Sequence, residues 1–172
     1  MEKAFKYILI ILSSALMGLS QHPISLGFLS YIALIPLLSI LLKIYSYKKA
    51  LAYGGLWGII YNLITVYWIA SNIGTSPQIA SFTMLLSVLI LTSGPIFIFL
   101  IWCALNRRGE SIYLLSFIWP SIELFRSYGT LGFPWTSLAN SQLDYHFIIQ
   151  NAEYVGIYGI TFWIVLLNVC IY

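Results

Sequence analysis

The chain has 172 residues, of which 60% are hydrophobic and 8% are charged, and its mean hydropathy is +0.92. Soluble domains are about 45–50% apolar, so this composition excludes an ordinary water-soluble domain. The net charge of +3 does not indicate a nucleic-acid partner, because the placement of the basic residues follows the apolar segments. Residues 7–42 and 50–106 contain no Asp, Glu, Lys or Arg. Each stretch is long enough for two membrane crossings, since one helix crosses with about 20 residues.

The apolar pattern predicts helical membrane spans near residues 5–20, 27–43, 50–71, 80–105, 111–127 and 155–172. Turn-forming residues separate these spans, and the chain has no repeat, linker or low-complexity tract. We therefore predict an all-α fold, a polytopic transmembrane helical bundle with about six spans, and a single membrane domain over residues 1–172.

The basic residues predict the orientation of this bundle. If the spans alternate, seven of the eight lysines and arginines fall on one side, which the positive-inside rule makes cytoplasmic. The N-terminus is then cytoplasmic, and the outer loops lie near residues 21–26, 72–79 and 127–153. The exception is Arg126, which falls on the outer side together with Asp144 and Glu153.

Two features of the spans are predicted to be structural. Gly54 and Gly58 are four residues apart in the third span, a spacing that lets helices approach closely. Cys103 and Cys170 are interpreted as small apolar helix residues. No set of His, Cys, Asp or Glu has the spacing of metal ligands, so we predict neither a metal site nor a cofactor.

An acidic and a basic residue, Glu123 and Arg126, stand three residues apart near the end of the fifth span. At this spacing they share a helix face and can pair, and an ionisable group within a span is costly unless it is paired or reaches water. Two interpretations stay open. One is a structural ion pair; the other is a polar wall of a lipid-binding cleft, in which Arg126 binds a phosphate through two parallel hydrogen bonds.

The turn after this helix contains Gly132, Phe133, Pro134 and Trp135. Aromatic side chains prefer the membrane–water interface. Phe133 and Trp135 are therefore predicted either to anchor the loop at the outer surface or to flank acyl chains that enter an active site.

Five segments carry a family resemblance, in order: 29–38, 54–68, 119–135, 140–142 and 156–162. The most specific is 119–135, with Trp119, Glu123 and Arg126 followed by Gly-Phe-Pro-Trp at 132–135. Together these segments resemble bacterial apolipoprotein N-acyltransferases. Asn140 departs from the family pattern, which has a tyrosine before the Ser-Gln pair that ends at Gln142.

The resemblance implies an enzyme of the bacterial inner membrane with many spans. Its partners would be a phospholipid that donates an acyl chain and a lipoprotein whose N-terminal diacylglyceryl-cysteine accepts it. The family's Glu-Lys-Cys catalytic set belongs to a periplasmic domain after the membrane helices, and we expect the chain to be cut short before that domain. We therefore assign no catalytic residue and expect the chain alone to be inactive.

On the same resemblance, the chain would anchor the enzyme and help to present its lipid substrates. The candidate substrate-binding residues are Glu123, Arg126, Phe133, Trp135 and Gln142. The alternatives are a small transporter or channel-like membrane protein that uses Glu123 and Arg126 as a coupling pair, and an inactive remnant.

Overall fold

The computed structural model of the chain describes residues 2–129 and 132–172, and its side-chain description begins at Ala4. Within these ranges the protein is helical and contains no strand. The α-helices are α1 (Glu2–Leu19), α2 (Ile35–Leu41), α3 (Tyr47–Val66), α4 (Pro77–Asn106), α5 (Leu115–Ser127), α6 (His146–Ile149) and α7 (Ala152–Ile171). Short 3₁₀ turns cover Gly27–Tyr31, Tyr67–Ser71, Ile112–Leu114, Pro134–Thr136 and Leu138–Gln142.

Three of the helical segments are long and apolar enough to cross a membrane. They are Tyr47–Ser71, Pro77–Asn106 and Ala152–Ile171. At a rise of about 1.5 Å per residue, 20 residues cover the hydrocarbon thickness of a bilayer. Shorter apolar segments at Ala4–Leu19 and Gly27–Leu41 pack beside them. The predicted all-α helical bundle is confirmed.

Helices α3 and α4 form the closest packing in the bundle, and small residues allow it. A Cβ atom on Gly58 would lie 2.9 Å from Cγ2 of Thr92, and one on Gly54 would lie 3.1 Å from Cα of Ile96. Contacts this short leave no room for a larger side chain. The predicted packing role of the two glycines is confirmed.

The second predicted span, 27–43, is not one continuous helix. It consists of the 3₁₀ turn Gly27–Tyr31, a short bend and the seven-residue helix α2, whose first turn contains Pro36. A proline has no backbone N–H and is accommodated best at the start of a helix. The bend therefore leaves backbone groups that a regular helix would have paired.

Buried polar side chains from distant helices supply the missing partners. Asn168 on α7 is fully buried, accepts a hydrogen bond from the backbone N–H of Leu34 (2.9 Å) and donates to the carbonyl of Ser30 (2.7 Å). On α4, Trp102 Nε1 donates to the carbonyl of Leu41 (2.9 Å). Irregular backbone is tolerated at membrane depth only when protein groups satisfy it in this way.

The two ends of the bundle differ in chemistry. At one end, which we call the loop end, one pocket is surrounded by residues 21–23, Trp68, Trp135, Asn140 and Leu143. At the other, which we call the basic end, Lys6, Lys43 and Lys49 surround another. This grouping is the one that alternating spans predict, because loops predicted on one side lie together in the structure.

Candidate functional site

The carboxylate of Glu123 is the centre of a hydrogen-bond cluster at the loop end. It accepts hydrogen bonds from the hydroxyl of Ser137 (2.6 Å), the backbone N–H of Leu138 (2.9 Å) and the hydroxyl of Thr161 (2.7 Å). Hydrogen bonds to a charged acceptor are about twice as strong as neutral ones. We call these four residues the Glu123 clamp. It joins helix α5, the 134–142 loop and helix α7.

Arg126 does not pair with Glu123 as its spacing allows. Among the described residues, the only contact within 4.0 Å between a basic and an acidic side chain joins His22 Nε2 to Asp144 Oδ1 at 3.9 Å. The Arg126 side chain instead crosses to helix α4, where an added Cβ on Gly94 would lie 2.6 Å from its Nη1 atom. Of the two interpretations left open, an ion pair in direct contact is not found, because the Glu123 oxygens bond the loop and α7 and no Arg126 nitrogen lies within 4.0 Å of them.

Glu123 and Arg126 do share a helix face, as predicted. Both line a small cavity of about 20 Å³ together with Tyr61, Asn62 and Thr136. The Oδ1 atom of Asn62 is buried and has no hydrogen-bond partner in the part of the chain that the structure describes. A cavity of this size holds about one water molecule, so the two charged residues lie beside a confined polar space.

Aromatic side chains pack against one another beside the small cavity that Glu123 and Arg126 line. Trp57 is fully buried; its ring stacks on Tyr61 (centroids 4.9 Å apart) and meets Trp119 edge-on (5.3 Å). The Tyr61 hydroxyl donates to the carbonyl of Thr136 at 2.9 Å, next to the Ser137 of the clamp. These contacts connect helix α3 to the 134–142 loop.

Trp135 stands at the mouth of a larger pocket of about 430 Å³, which we call the Trp135 pocket. The Trp135 side chain is 61% exposed. Asn140 Nδ2 stabilises the 3₁₀ turn that contains Trp135, since it donates to the carbonyls of Pro134 (3.1 Å) and Trp135 (2.8 Å). Trp68, His22 and Gln21 line the other walls.

Gln21 is unusual among the residues of the Trp135 pocket. It is 1% exposed, and neither its Oε1 nor its Nε2 atom has a hydrogen-bond partner within the described ranges. Most buried polar side chains are paired, so an unpaired carboxamide at the edge of a pocket indicates a place where water or a ligand supplies the missing bonds.

Phe133 lies beside Trp135 but faces the bundle. The two ring centroids are 5.9 Å apart, and Phe133 packs against a cluster of Val66, Val88 and Leu91 on helices α3 and α4. The Phe133 side chain is half-buried, whereas the Trp135 side chain is exposed. This contact fixes the loop to the helices.

Gln142 is placed apart from the other predicted site residues and is completely buried. Its Nε2 donates to the carbonyl of Gly27 (3.1 Å) and its Oε1 accepts from the hydroxyl of Tyr31 (2.7 Å). Gly27 is required here, since a Cβ would collide with the carbonyl of Ser141. Gln142 thus ties the loop to the 27–31 turn.

Several residues of this region escaped the sequence analysis. Ser137 and Thr161 have no charge and no motif, so nothing in the sequence marks them as partners of a glutamate 14 and 38 residues away. Trp57 and Tyr61 are spaced four apart on α3, a signal of a shared helix face that could have marked them. Gln21 lies in the predicted outer loop at residues 21–26, where nothing in the sequence marks its side chain as unpaired.

The comparisons with known proteins agree on one family. The family model described as "Apolipoprotein N-acyltransferase N-terminal domain" matches residues 13–170. A relative from Geobacter metallireducens named "Apolipoprotein N-acyltransferase" is 32% identical over 96% of this chain and 33% of its own length. One of the same name from Chlorobaculum tepidum is 23% identical over 96% of this chain and 31% of its own.

The chain therefore spans about a third of the length of these curated relatives. The family match covers nearly all of the described helices, including the Glu123 clamp and the Trp135 pocket. On this evidence, the chain belongs to the apolipoprotein N-acyltransferase family and carries the N-terminal domain of that family.

Proposed function

We propose that this chain is the membrane part of an apolipoprotein N-acyltransferase of the bacterial inner membrane. The complete enzyme would transfer an acyl chain from a phospholipid to the N-terminal diacylglyceryl-cysteine of a lipoprotein. Family membership and the long apolar helices support the proposal. In this reading the N-terminus is cytoplasmic and the loop end faces outward, toward the catalytic domain.

The role of the chain in this reaction is to anchor the enzyme and to hold a lipid-handling surface ready. The single observation that carries this role is the Glu123 clamp, which fixes the 134–142 loop to two helices through three hydrogen bonds. A loop ordered before its ligand arrives loses less entropy on binding. Trp135, held exposed beside a 430 Å³ pocket, is the side chain that this order positions.

Arg126 is the candidate ligand for the phosphate of the acyl donor. Its guanidinium lies beside Gly94, about midway along helix α4, and no residue within 2–129 or 132–172 accepts a hydrogen bond from it. The planar fork of an arginine suits bidentate binding of phosphate. Glu123, Phe133 and Gln142 act as positioning residues in this proposal, since their contacts are with the protein itself.

We do not propose the transporter alternative. The family match and the curated relatives support an acyltransferase instead.

A chimera tests the proposed function. In it, the 172 residues replace the matching third of the Geobacter metallireducens relative, and acyl transfer to a diacylglyceryl-cysteine peptide is followed by mass spectrometry. We expect transfer by the chimera and none by the chain alone. A chimera with the matching segment of the Chlorobaculum tepidum relative is the control for the junction. The proposal fails if that control is active while the chimera with this chain is inserted, monodisperse and inactive.

Trp135→Ala in the chimera tests the Trp135 pocket. Because this side chain is 61% exposed, its removal should leave folding intact and lower transfer per folded molecule about tenfold, as the loss of a large aromatic contact does. The matched control is Phe147→Ala, since Phe147 is 92% exposed and lies outside the pocket. Equal activity of the two variants would reduce Trp135 to a surface anchor.

A further inference from the structure

A pocket of about 340 Å³ lies at the basic end, opposite the candidate site. Three lysines from three parts of the chain line it: Lys6 on helix α1, Lys43 just after α2, and Lys49 in the first turn of α3. We call it the lysine pocket. Because charges interact over several ångströms, a negatively charged group in this pocket would be attracted by all three lysines.

The carboxylates of the described side chains do not neutralise these lysines. Of the five acidic residues, Glu123, Asp144 and Glu153 lie at or near the loop end, Glu110 follows helix α4, and the side chain of Glu2 is outside the described side chains. Among the described side chains, no lysine has a carboxylate within 4.0 Å. The lysine pocket therefore offers a concentrated positive charge to a ligand from outside the protein.

Beside the lysines, the lysine pocket is lined mostly by apolar side chains, together with Ser39 and Tyr53. Phe5, Leu9 and Ile40 line it beside the lysines, and Phe5 is 59% exposed. A ligand that contacts all of these side chains needs a negative head and an apolar body. Inorganic phosphate would use the charges and leave the apolar walls uncovered, whereas an anionic phospholipid fits both parts.

The start of helix α3 adds to the attraction for an anion. The helix begins at Tyr47, its N-cap residue Ser46 makes no side-chain capping bond, and its first turn contains no acidic residue. The N-terminus of a helix carries a partial positive charge from its unpaired N–H groups. Lys49 lies in this same turn, so backbone and side-chain charges act together.

We propose that the lysine pocket binds the phosphate headgroup of an anionic phospholipid in the leaflet at the basic end. This site is separate from the loop end and takes no part in the proposed acyl transfer. It would tie α1, the segment after α2, and the start of α3 to one lipid. The inference rests on membrane insertion of the bundle but not on the proposed enzymatic function.

Native mass spectrometry of the 172-residue chain in detergent tests the proposal. Phosphatidylglycerol is titrated against phosphatidylcholine with the same acyl chains, and inorganic phosphate is titrated separately. We expect bound phosphatidylglycerol in preference to phosphatidylcholine, and displacement of the lipid by phosphate only at much higher concentrations. Lys6→Gln, Lys43→Gln and Lys49→Gln should each weaken the binding about fivefold, the effect of one basic side chain near an anionic surface.

Lys48→Gln is the matched control. Lys48 is exposed, has the same charge and is the neighbour of Lys49, but it does not line the pocket. Lys49→Arg keeps the charge and should bind phosphatidylglycerol as the original chain does. It is the control that shows that a substitution at this position does not by itself disturb folding. The proposal is overturned if Lys48→Gln weakens binding as much as Lys49→Gln, since the charges would then act only as a diffuse field. It is also overturned if the two lipids bind equally, or if phosphate displaces the lipid at similar concentrations.

Discussion

Glu123 shows how a single charged residue can organise irregular structure at a membrane surface. Its two oxygens receive donors from the loop and from helix α7, while the arginine three residues later turns to α4. The helical spacing correctly predicted that both residues share a face. It could not predict the partners, because Ser137, Leu138 and Thr161 reach Glu123 only through the tertiary fold.

We expect Glu123→Gln to destabilise the folded chain by about 1.5–3 kcal/mol, the contribution of hydrogen bonds to a charged group. An amide keeps the shape but lacks the second acceptor oxygen and the charge. The measurement is the melting temperature of the detergent-solubilised chain. Ser137→Ala removes only one of the three hydrogen bonds and should have a smaller effect. Equal stability of Glu123→Gln and the original chain would contradict a structural role for the clamp.

Gly94→Ala tests whether the position of the Arg126 guanidinium matters, because it moves this group without changing its charge. The new Cβ would lie 2.6 Å from Nη1 of Arg126, so the flexible guanidinium must move, while alanine favours the helix by about 1 kcal/mol. We expect folding to be retained and acyl transfer by the chimera to fall as far as in Arg126→Lys. Gly55→Ala is the control, because its nearest neighbour is 4.0 Å away. Full activity of Gly94→Ala would show that the position of Arg126 is not used.

At the scale of the elements, apolar length alone predicted helices α1, α3, α4 and α7 to within a few residues. Long stretches without charge leave few alternatives to a helix in a membrane. The second span, predicted near 27–43, is helical but bent between Tyr31 and Ile35. Its bend depends on Asn168, whose side chain bonds a backbone N–H 134 residues away, and no local pattern carries that information.

We expect Asn168→Leu to destabilise the chain by about 1–3 kcal/mol for each backbone group left unpaired. The groups concerned are the N–H of Leu34 and the carbonyl of Ser30. Thermal unfolding in detergent measures the change. Asn151→Ala is the matched control, since Asn151 is exposed and bonds only carbonyls three and four residues before it. A melting temperature equally unaffected in both variants would mean that the bend at residues 27–34 needs no support from α7.

At the scale of the whole molecule, the two ends of the bundle differ in chemistry. The loop end carries the clamp, the Trp135 pocket and exposed aromatic side chains such as Tyr128 and Phe147. The basic end carries the lysines and Arg107, whose guanidinium lies 5.3 Å from the ring centroid of Tyr47. Composition and charge predicted this polarity. The pockets could not be predicted, because each is assembled from segments far apart in sequence.

The polarity makes a topological prediction. The loop end should face the periplasm and the basic end the cytoplasm, because basic residues are retained on the cytoplasmic side. In a Cys170→Ser background, where the remaining Cys103 is fully buried, Ile73→Cys should react with a membrane-impermeant maleimide on intact spheroplasts. Ile73 is fully exposed at 101%. Lys48→Cys, at the basic end, should react only after permeabilisation. The reverse pattern would invert the bundle and place Trp135 and Arg126 on the side away from lipoprotein substrates.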